Sequence, residues 1–547
     1  MLRYASLVLV SVMLAGCESG SSDAPESSPS SGPAARPGDE LTKFEAHRFL
    51  NQATFGATED EAERLMRIGI ESWIEDQLAQ PVSLQLPYLE SLGSENPSFL
   101  QSARVDIWFR NAIHGPDQLR QRVAFALSEL LVVSQNGALD GAPFALASYY
   151  DLLATHAFGN YFDLLKAVTL HPAMGVYLSM LGNRKAVPKN NIRPDENFAR
   201  ELLQLFTIGL VELEIGGTPK LDASGRTIPT YTQDVIEEFA RVYTGWHYTG
   251  AKDFMAARQT VKNQTVPMQL YQAYHDTDPK TLLGRVHLPG NQPGQVDLTA
   301  ALQTIFTHPN VGPFISHRLI QRLVASNPSP AYVARVARTF EDNGAGVRGD
   351  LAATIRAILL DPEARPEAPN DASGKLKEPL LQVTQLLRAY DGRTDTDGND
   401  FTNIGSRLGQ IPLRAPSVFN FFSPTYAPVG ELADHGLVAP ELEIATEFQV
   451  TMAANLFYEQ IFLKHTLSDN VDADDIVIDV EEEISLAKHP AMLLDRVADK
   501  LLGGRISPAL YETILAYLEA IPEEEAEIRA TEAIYFVAVS PEFAVQY

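Results

Sequence analysis

Residues 117–134 read DQLRQRVAFALSELLVVS. Apolar side chains return every three or four positions and then run together, the period of an α-helix whose apolar stripe covers most of its surface. A helix this apolar lies inside a multi-helix body rather than on its skin. Residues 143–157, 195–208, 233–245, 313–325, 331–342, 350–360 and 375–390 carry the same period. The sequence therefore predicts a predominantly α fold, a large multi-helix domain with minor β-hairpin insertions. Punctuation fits short connections: Gly159-Asn160 closes one helix, and Thr230 with Gln233 offers a capping box at the start of another.

Three stretches break the helical period. Residues 212–230 (ELEIGGTPKLDASGRTIPT) read as a hairpin excursion with Gly-Gly and Ser-Gly turns. Residues 260–290 mix short extended pieces with His275, Asp276 and His287. Residues 391–435 form a long irregular segment rich in Gly, Asn, Pro and Phe, and loops of that length are usually functional or packed over the surface. Helices resume after about residue 445. The expected organisation is a main helical domain over 41–444 and an acidic helical subdomain over 445–547.

The N-terminus has a different character. Arg3 precedes a short apolar run, Tyr4 to Leu14, and Leu14-Ala15-Gly16 sets small residues before Cys17. This is a secretory signal pattern, too short to span a bilayer as a helix. The cysteine at the cleavage point resembles the lipobox of bacterial lipoproteins, which implies removal of residues 1–16 and acylation of Cys17. Several acyl chains, each contributing about 0.8 kcal/mol per buried methylene, make such an anchor lasting. Residues 18–40, dominated by Ser, Pro, Gly and Ala, bury too little apolar surface to fold; with Cys17 they read as a disordered tether over 17–40. The expected localisation is the cell envelope, lipid-anchored, on the outer membrane of a diderm because Glu18 is not the retention aspartate of inner-membrane lipoproteins.

Cys17 is the only cysteine, so the chain after it has no disulfide, thiolate metal site or cysteine nucleophile. Losing residues 1–16 would remove Arg3 and make the formal charge of −27 one unit more negative. Eighteen acidic against five basic side chains lie between Asp469 and Glu542. Such a surface repels nucleic acid and offers no counterion-release term for binding it.

Several longer motifs are similar to those of one family. They are RFLNQATFG (48–56), DENFARELLQLFTIG (195–209), YTQDVIEEFARVYTGW (231–246), HPNVGPFISHRLIQRL (308–323), NGAGVRGDLAATIRAILLD (343–361) and RAPSVFNFFSPTY (414–426). In this order they resemble the bacterial family catalogued as domain of unknown function 1800, from about residue 44 onward. The resemblance implies an exported bacterial protein, often encoded beside a sulfatase-like partner family. It carries no agreed activity and therefore no catalytic residues.

The residues offer several candidate constellations. At about 100° per residue, Asn197, Arg200, Glu201 and Gln204 share one helix face, and Asp234, Glu237, Glu238 and Arg241 form a like stripe over 233–245. Each stripe reads as a solvated face, a buried polar network or a pocket wall. His275 and Asp276 are candidate metal ligands, since imidazole and carboxylate suit zinc, iron or manganese; hydrogen bonds to backbone are the alternative. Asp395, Asp397, Asn399 and Asp400 resemble half a calcium loop, with Gly398 misplaced for one. Trp246 with His247, and Arg414 with Asn420, Phe421 and Phe422, are candidates to line a carbohydrate groove, or else core. Gly344, Gly346 and Gly349 match a dinucleotide fingerprint but follow a helical segment and precede Asp350, a capping residue, so no nucleotide is expected. Two functions remain open: a binding or assembly factor for an envelope protein or polysaccharide, which is favoured, and a hydrolase of envelope polymers using a carboxylate or metal site.

Overall fold

Thr42 opens the first helix, α1 (Lys43–Ala53). Its hydroxyl accepts from the Glu45 amide, and the Glu45 carboxylate accepts from the Thr42 amide, a closed capping box. The computed structural model describes residues 41–94, 96–366, 373–393, 401–469, 471–473 and 475–547. Among them are 24 α-helices and three two-stranded antiparallel sheets, so the predominantly α fold with small β-hairpins holds. The leader 1–16, the tether with Cys17, and Asp395 to Asp400 lie outside the described residues.

The core is built on α2 (Pro97–His114), α3 (Gln118–Ser128) and α4 (Pro143–His156). Every residue of α3 except Arg120 is buried, as its composition requires. Trp108 stands edge-on to Phe55, Phe109 and Tyr150 at 5.1–6.5 Å between ring centres. The helix expected over 117–134 stops at Ser128, because tertiary partners claim the following backbone. The Tyr149 hydroxyl donates to Leu131 O, and the Gln135 amide donates to Leu413 O at 2.7 Å.

Two shorter helices follow, α5 (Asn197–Gln204) and α6 (Gln233–Val242). Between them, isolated bridges Val211–Pro229, Leu213–Pro219 and Leu221–Thr227 form the expected hairpin, turning at Gly217 and Gly225 with φ near 80°. The expected Thr230–Gln233 box is absent: Thr232 is the cap residue of α6, and the Thr230 hydroxyl donates to Gly209 O. Strand β1 (Trp246–His247) pairs with β2 (Gln269–Leu270), and β3 (Lys280–Thr281) with β4 (His287–Leu288).

Helices α7 (Val311–Leu323), α8 (Pro330–Glu341) and α9 (Leu351–Leu360) pack in succession. The glycine turn between α8 and α9 has Gly344, Gly346 and Gly349 at φ 77–90°. Asp342 Oδ1 takes the Gly344 and Gly346 amides at 2.8 and 2.9 Å, so the turn is closed on its own carboxylate. Asp350 caps α9 as expected, accepting from Ala353 N.

Residues 375–390 divide into strand β5 (Lys375–Leu376) and helix α10 (Pro379–Ala389), because Pro379 fits the first helical turn and not the interior. The long segment 391–435 is not wholly irregular: α11 (Phe401–Leu408) lies within it, its Phe401 ring stacked on Phe109 at 4.7 Å. Helices α12 (Glu447–Phe462) and α13 (Ala526–Ala538) follow, and the last strand, β6 (Val545–Gln546), pairs back with β5. One hydrophobic cluster runs from Ala46 to Phe543, and residues 41–547 form one compact unit. Among the described residues no helix is long and apolar enough to cross a membrane.

Candidate functional site

Two places bring chemistry-bearing side chains together. The first is the junction of α5, α6 and the β3–β4 hairpin. Asn197 is exposed, Arg200 and Gln204 are half-buried, and Glu201 is buried. Arg200 pairs with Glu196 at 2.9 Å, and Gln233 Nε2 donates to the same carboxylate at 2.7 Å, which ties α5 to α6. Glu201 is outside this pairing. Burial, partly offset by Arg200, raises its carboxyl, and its Oε2 has no hydrogen-bond partner among the described residues. Tyr231 stands near it, pushed up to about 12 by burial and also without a hydroxyl partner. The stripe is thus split, with its Arg200 edge solvated and its Glu201 edge inside.

Tyr231 also lines an open groove of about 840 Å³. One wall is the start of α6, with Asp234 and Glu238. The other is the β3–β4 hairpin, with Arg285 and His287. The wall is held rigidly. Arg241 forks onto Asp276 with two bonds of 3.1 Å and reaches Glu238 at 2.8 Å, while Glu238 accepts from the Thr281 amide at 2.9 Å. Burial alone would raise Asp276, but the Arg241 fork outweighs it and holds the carboxyl below its ordinary range.

His275 sits behind this wall, fully buried. Its Nδ1 lies 3.0 Å from Thr244 O and its Nε2 3.1 Å from Asp297 Oδ2, so both ring nitrogens already face oxygen partners. Lys280 Nζ joins the same Asp297 oxygen at 2.7 Å. His275 and Asp276 therefore look to different partners, a histidine–aspartate–lysine triad and an arginine fork. Among the described residues no group of three or more His, Cys, Asp or Glu side chains is placed to hold a metal ion. Trp246 is buried at 2% exposure and belongs to the core rather than the groove, while Arg414 is exposed.

The second place was not anticipated, except for Asn420 and Phe422. Arg122 and Glu129 from the α3 region, Arg322 from α7, Lys375 of β5, Glu378 just after it, and Glu441 meet in the interior, none more than 5% exposed. Lys375 Nζ lies 2.9 Å from Glu441 and 3.8 Å from Glu378. Arg322 lies 3.5 Å from Glu129 and stacks under the Phe422 ring at 4.3 Å. Gln410 Nε2 donates to Glu378 at 2.5 Å, and Asn420 Nδ2 donates to Glu129 at 3.2 Å. Glu129 and Glu378 influence one another within this cluster, and their surroundings act on them in opposite directions. Burial, helped by the neighbouring Glu378 and only partly countered by Arg322, pushes Glu129 up to about 8. Glu378 feels the same burial, but Lys375, Arg322 and Arg122 outweigh it and hold the carboxyl below its usual range.

A signal for this cluster was present in the opening stretch. Arg122 and Glu129 are seven residues apart, hence on nearly one face, inside a run that is otherwise apolar. A charge in such a run must find a partner or unfold the helix.

Fold and site together define an all-α protein with a surface groove and an internal carboxyl–guanidinium cluster. The chain belongs to the family described as "Protein of unknown function (DUF1800)", whose profile matches residues 48–545. No curated protein and no solved structure matches it.

Proposed function

We propose that this is a lipid-anchored envelope protein that binds an envelope polysaccharide in the groove between α6 and the β3–β4 hairpin. The observation that carries the reading is the lining of the groove. The Tyr231 side chain, the Asp234 and Glu238 carboxylates, Arg285 and His287 line one open trough of about 840 Å³. An aromatic ring beside carboxylates, a guanidinium and an imidazole suits a chain of sugar hydroxyls, and the open form suits a polymer rather than an enclosed small molecule. The anchor rests on the lipobox-like Leu14-Ala15-Gly16-Cys17. The sulfatase-like family implied by the resemblance supplies the protein partner to test alongside.

The test is retention on immobilised envelope glycans by the intact protein and by Tyr231→Ala and Asp234→Ala. Both variants should bind at least ten-fold more weakly with an unchanged denaturation midpoint. Equal retention by all three sinks the groove reading, as does exclusive capture of the sulfatase-like partner. For the anchor, Cys17→Ser should abolish labelling by a palmitate analogue; persistent labelling would refute it.

A further inference from the structure

The formal charge of the chain is −27, yet two neighbouring loops carry the opposite sign. Residues 184–193, before α5, hold Arg184, Lys185, Lys189 and Arg193 and no acid. Residues 252–267, between β1 and β2, hold Lys252, Arg258 and Lys262 against Asp253 alone. The fold sets the two loops side by side: the Lys185 amide donates to Tyr274 O at 2.8 Å, and Arg184 Nη1 lies 3.6 Å from Met255 Sδ. Arg184 is half-buried, and the other six cations are exposed. No carboxylate pairs with any of the seven among the described residues. Asp253 itself accepts from the Tyr274 hydroxyl at 3.3 Å.

Both loops are preformed. Asn183 closes the first, exchanging two hydrogen bonds with the backbone of Asp195, and Val187 pairs with Ile192 across its tip. Asn263 pins the second, its Nδ2 donating to Thr249 O and Arg258 O. That loop also packs on a small aromatic cluster of its own, in which Phe254 stacks on Tyr274 at 4.3 Å. A surface held in this way loses little freedom when it docks. Between its cations it presents Met255, Val261 and Val266 at 52%, 62% and 38% exposure.

We propose that this basic and apolar face docks on a membrane surface of anionic phospholipids and so turns one fixed side of the body toward the bilayer. The occupant follows from the charges and from what lies between them. Unpaired lysines and arginines match phosphate-bearing headgroups, whose attraction acts within a Debye length of the surface. Apolar side chains among the cations gain little from an acidic polysaccharide, but they sink into the boundary between headgroups and acyl chains. The negative charge carried elsewhere on the body opposes contact only weakly. Exposed charges separated by more than about 8 Å are largely screened at physiological ionic strength, so the cations at the contact decide its sign.

The inference rests on the anchor reading for its setting alone. Acylation at Cys17 leaves residues 18–40 between the bilayer and the folded body, at most about 80 Å of chain. Within that reach docking is an intramolecular step at high effective concentration. Contacts too weak to hold a free protein then suffice to orient a tethered one.

The mature chain, residues 17–547 with Cys17→Ser, is sedimented with vesicles, so that no acyl chain contributes. It should bind vesicles of phosphatidylcholine and phosphatidylglycerol in equal parts, and not phosphatidylcholine alone. Raising the salt from about 50 to about 500 mM should weaken that binding at least ten-fold. Lys252→Glu with Lys262→Glu should weaken it at least ten-fold, and so should Lys185→Glu with Lys189→Glu on the other loop. These four side chains have no hydrogen-bond or ion-pair partner among the described residues, so the denaturation midpoint should stay unchanged. Arg67→Glu with Lys488→Glu, an equal change of charge at two exposed positions elsewhere, should leave binding within two-fold. Met255→Ser with Val261→Ser should weaken it several-fold. Equal binding to both kinds of vesicle, an equal loss in the Arg67/Lys488 control, or retention on dextran sulfate without vesicle binding overturns the proposal. Because Cys17 is replaced throughout, a failed palmitate label would leave the vesicle result standing, and failed vesicle binding would leave the anchor standing.

Discussion

Replacing Glu129 with glutamine should change how stability depends on pH rather than stability everywhere. In the folded chain, burial and the adjacent Glu378 push Glu129 up to about 8, against an ordinary value of 4.5. Between those two values the folded protein holds a proton that the unfolded chain has released. Stability is therefore fully present below about pH 4.5, falls as pH rises, and levels off above about pH 8. Each pH unit in that window costs about 1.4 kcal/mol for a full proton. The Glu129 side chain is 1% exposed, so solvent screening takes little away. Interaction with Glu378 spreads the titration, and the total is on the order of 4 kcal/mol. Glutamine mimics the protonated acid in shape and charge and has no proton to lose. Glu129→Gln should match the wild type near pH 5 and exceed it by a few kcal/mol near pH 8. Urea unfolding followed by circular dichroism at pH 5, 6.5 and 8 reads the difference. Parallel profiles for the two proteins would refute the buried-proton argument, and a variant weaker at every pH would show that Glu129 is ionised in the fold.

Three further outcomes follow from the geometry. Asp297→Ala should cost about 3–5 kcal/mol, because it strands buried Lys280 and His275 beside an empty carboxylate position; a loss under 1 kcal/mol would deny that triad a structural role. Gly349→Ala should cost more than the roughly 1 kcal/mol of its left-handed backbone, since the added methyl would meet the Phe306 ring at 2.7 Å. Gly344→Ala meets nothing within 4 Å and should show the backbone part alone, while neither change should create or remove NAD or ATP binding by calorimetry. Arg200→Ala removes a pair whose side chains are 39% and 33% exposed and should shift stability by less than about 1 kcal/mol in the same unfolding assay.

Much of the fold is local and was readable from the chain. The buried helices over 118–128 and 143–156, the hairpin of 212–230 and the helix–glycine turn–helix of 330–360 follow from apolar period, caps and turn residues close together in sequence. Those signals act within a few residues, so no partner is needed to interpret them. The tertiary structure alone decided where helices stop and which charges go inside. α3 ends at Ser128 because Leu413 and Tyr149 claim the backbone beyond it. Glu201 is buried while its neighbour Arg200 turns outward to Glu196, a division that the period of one helix cannot foresee. His275 and Asp276 are adjacent in sequence but committed to different partners, Asp297 and Arg241. The Glu129 carboxyl is the furthest from local reading, because its burial beside Glu378 and Arg322 and under Asn420 brings together segments distant in sequence. Sequence period reports how much of a helix is apolar; only packing reports which charge is shut in and with what.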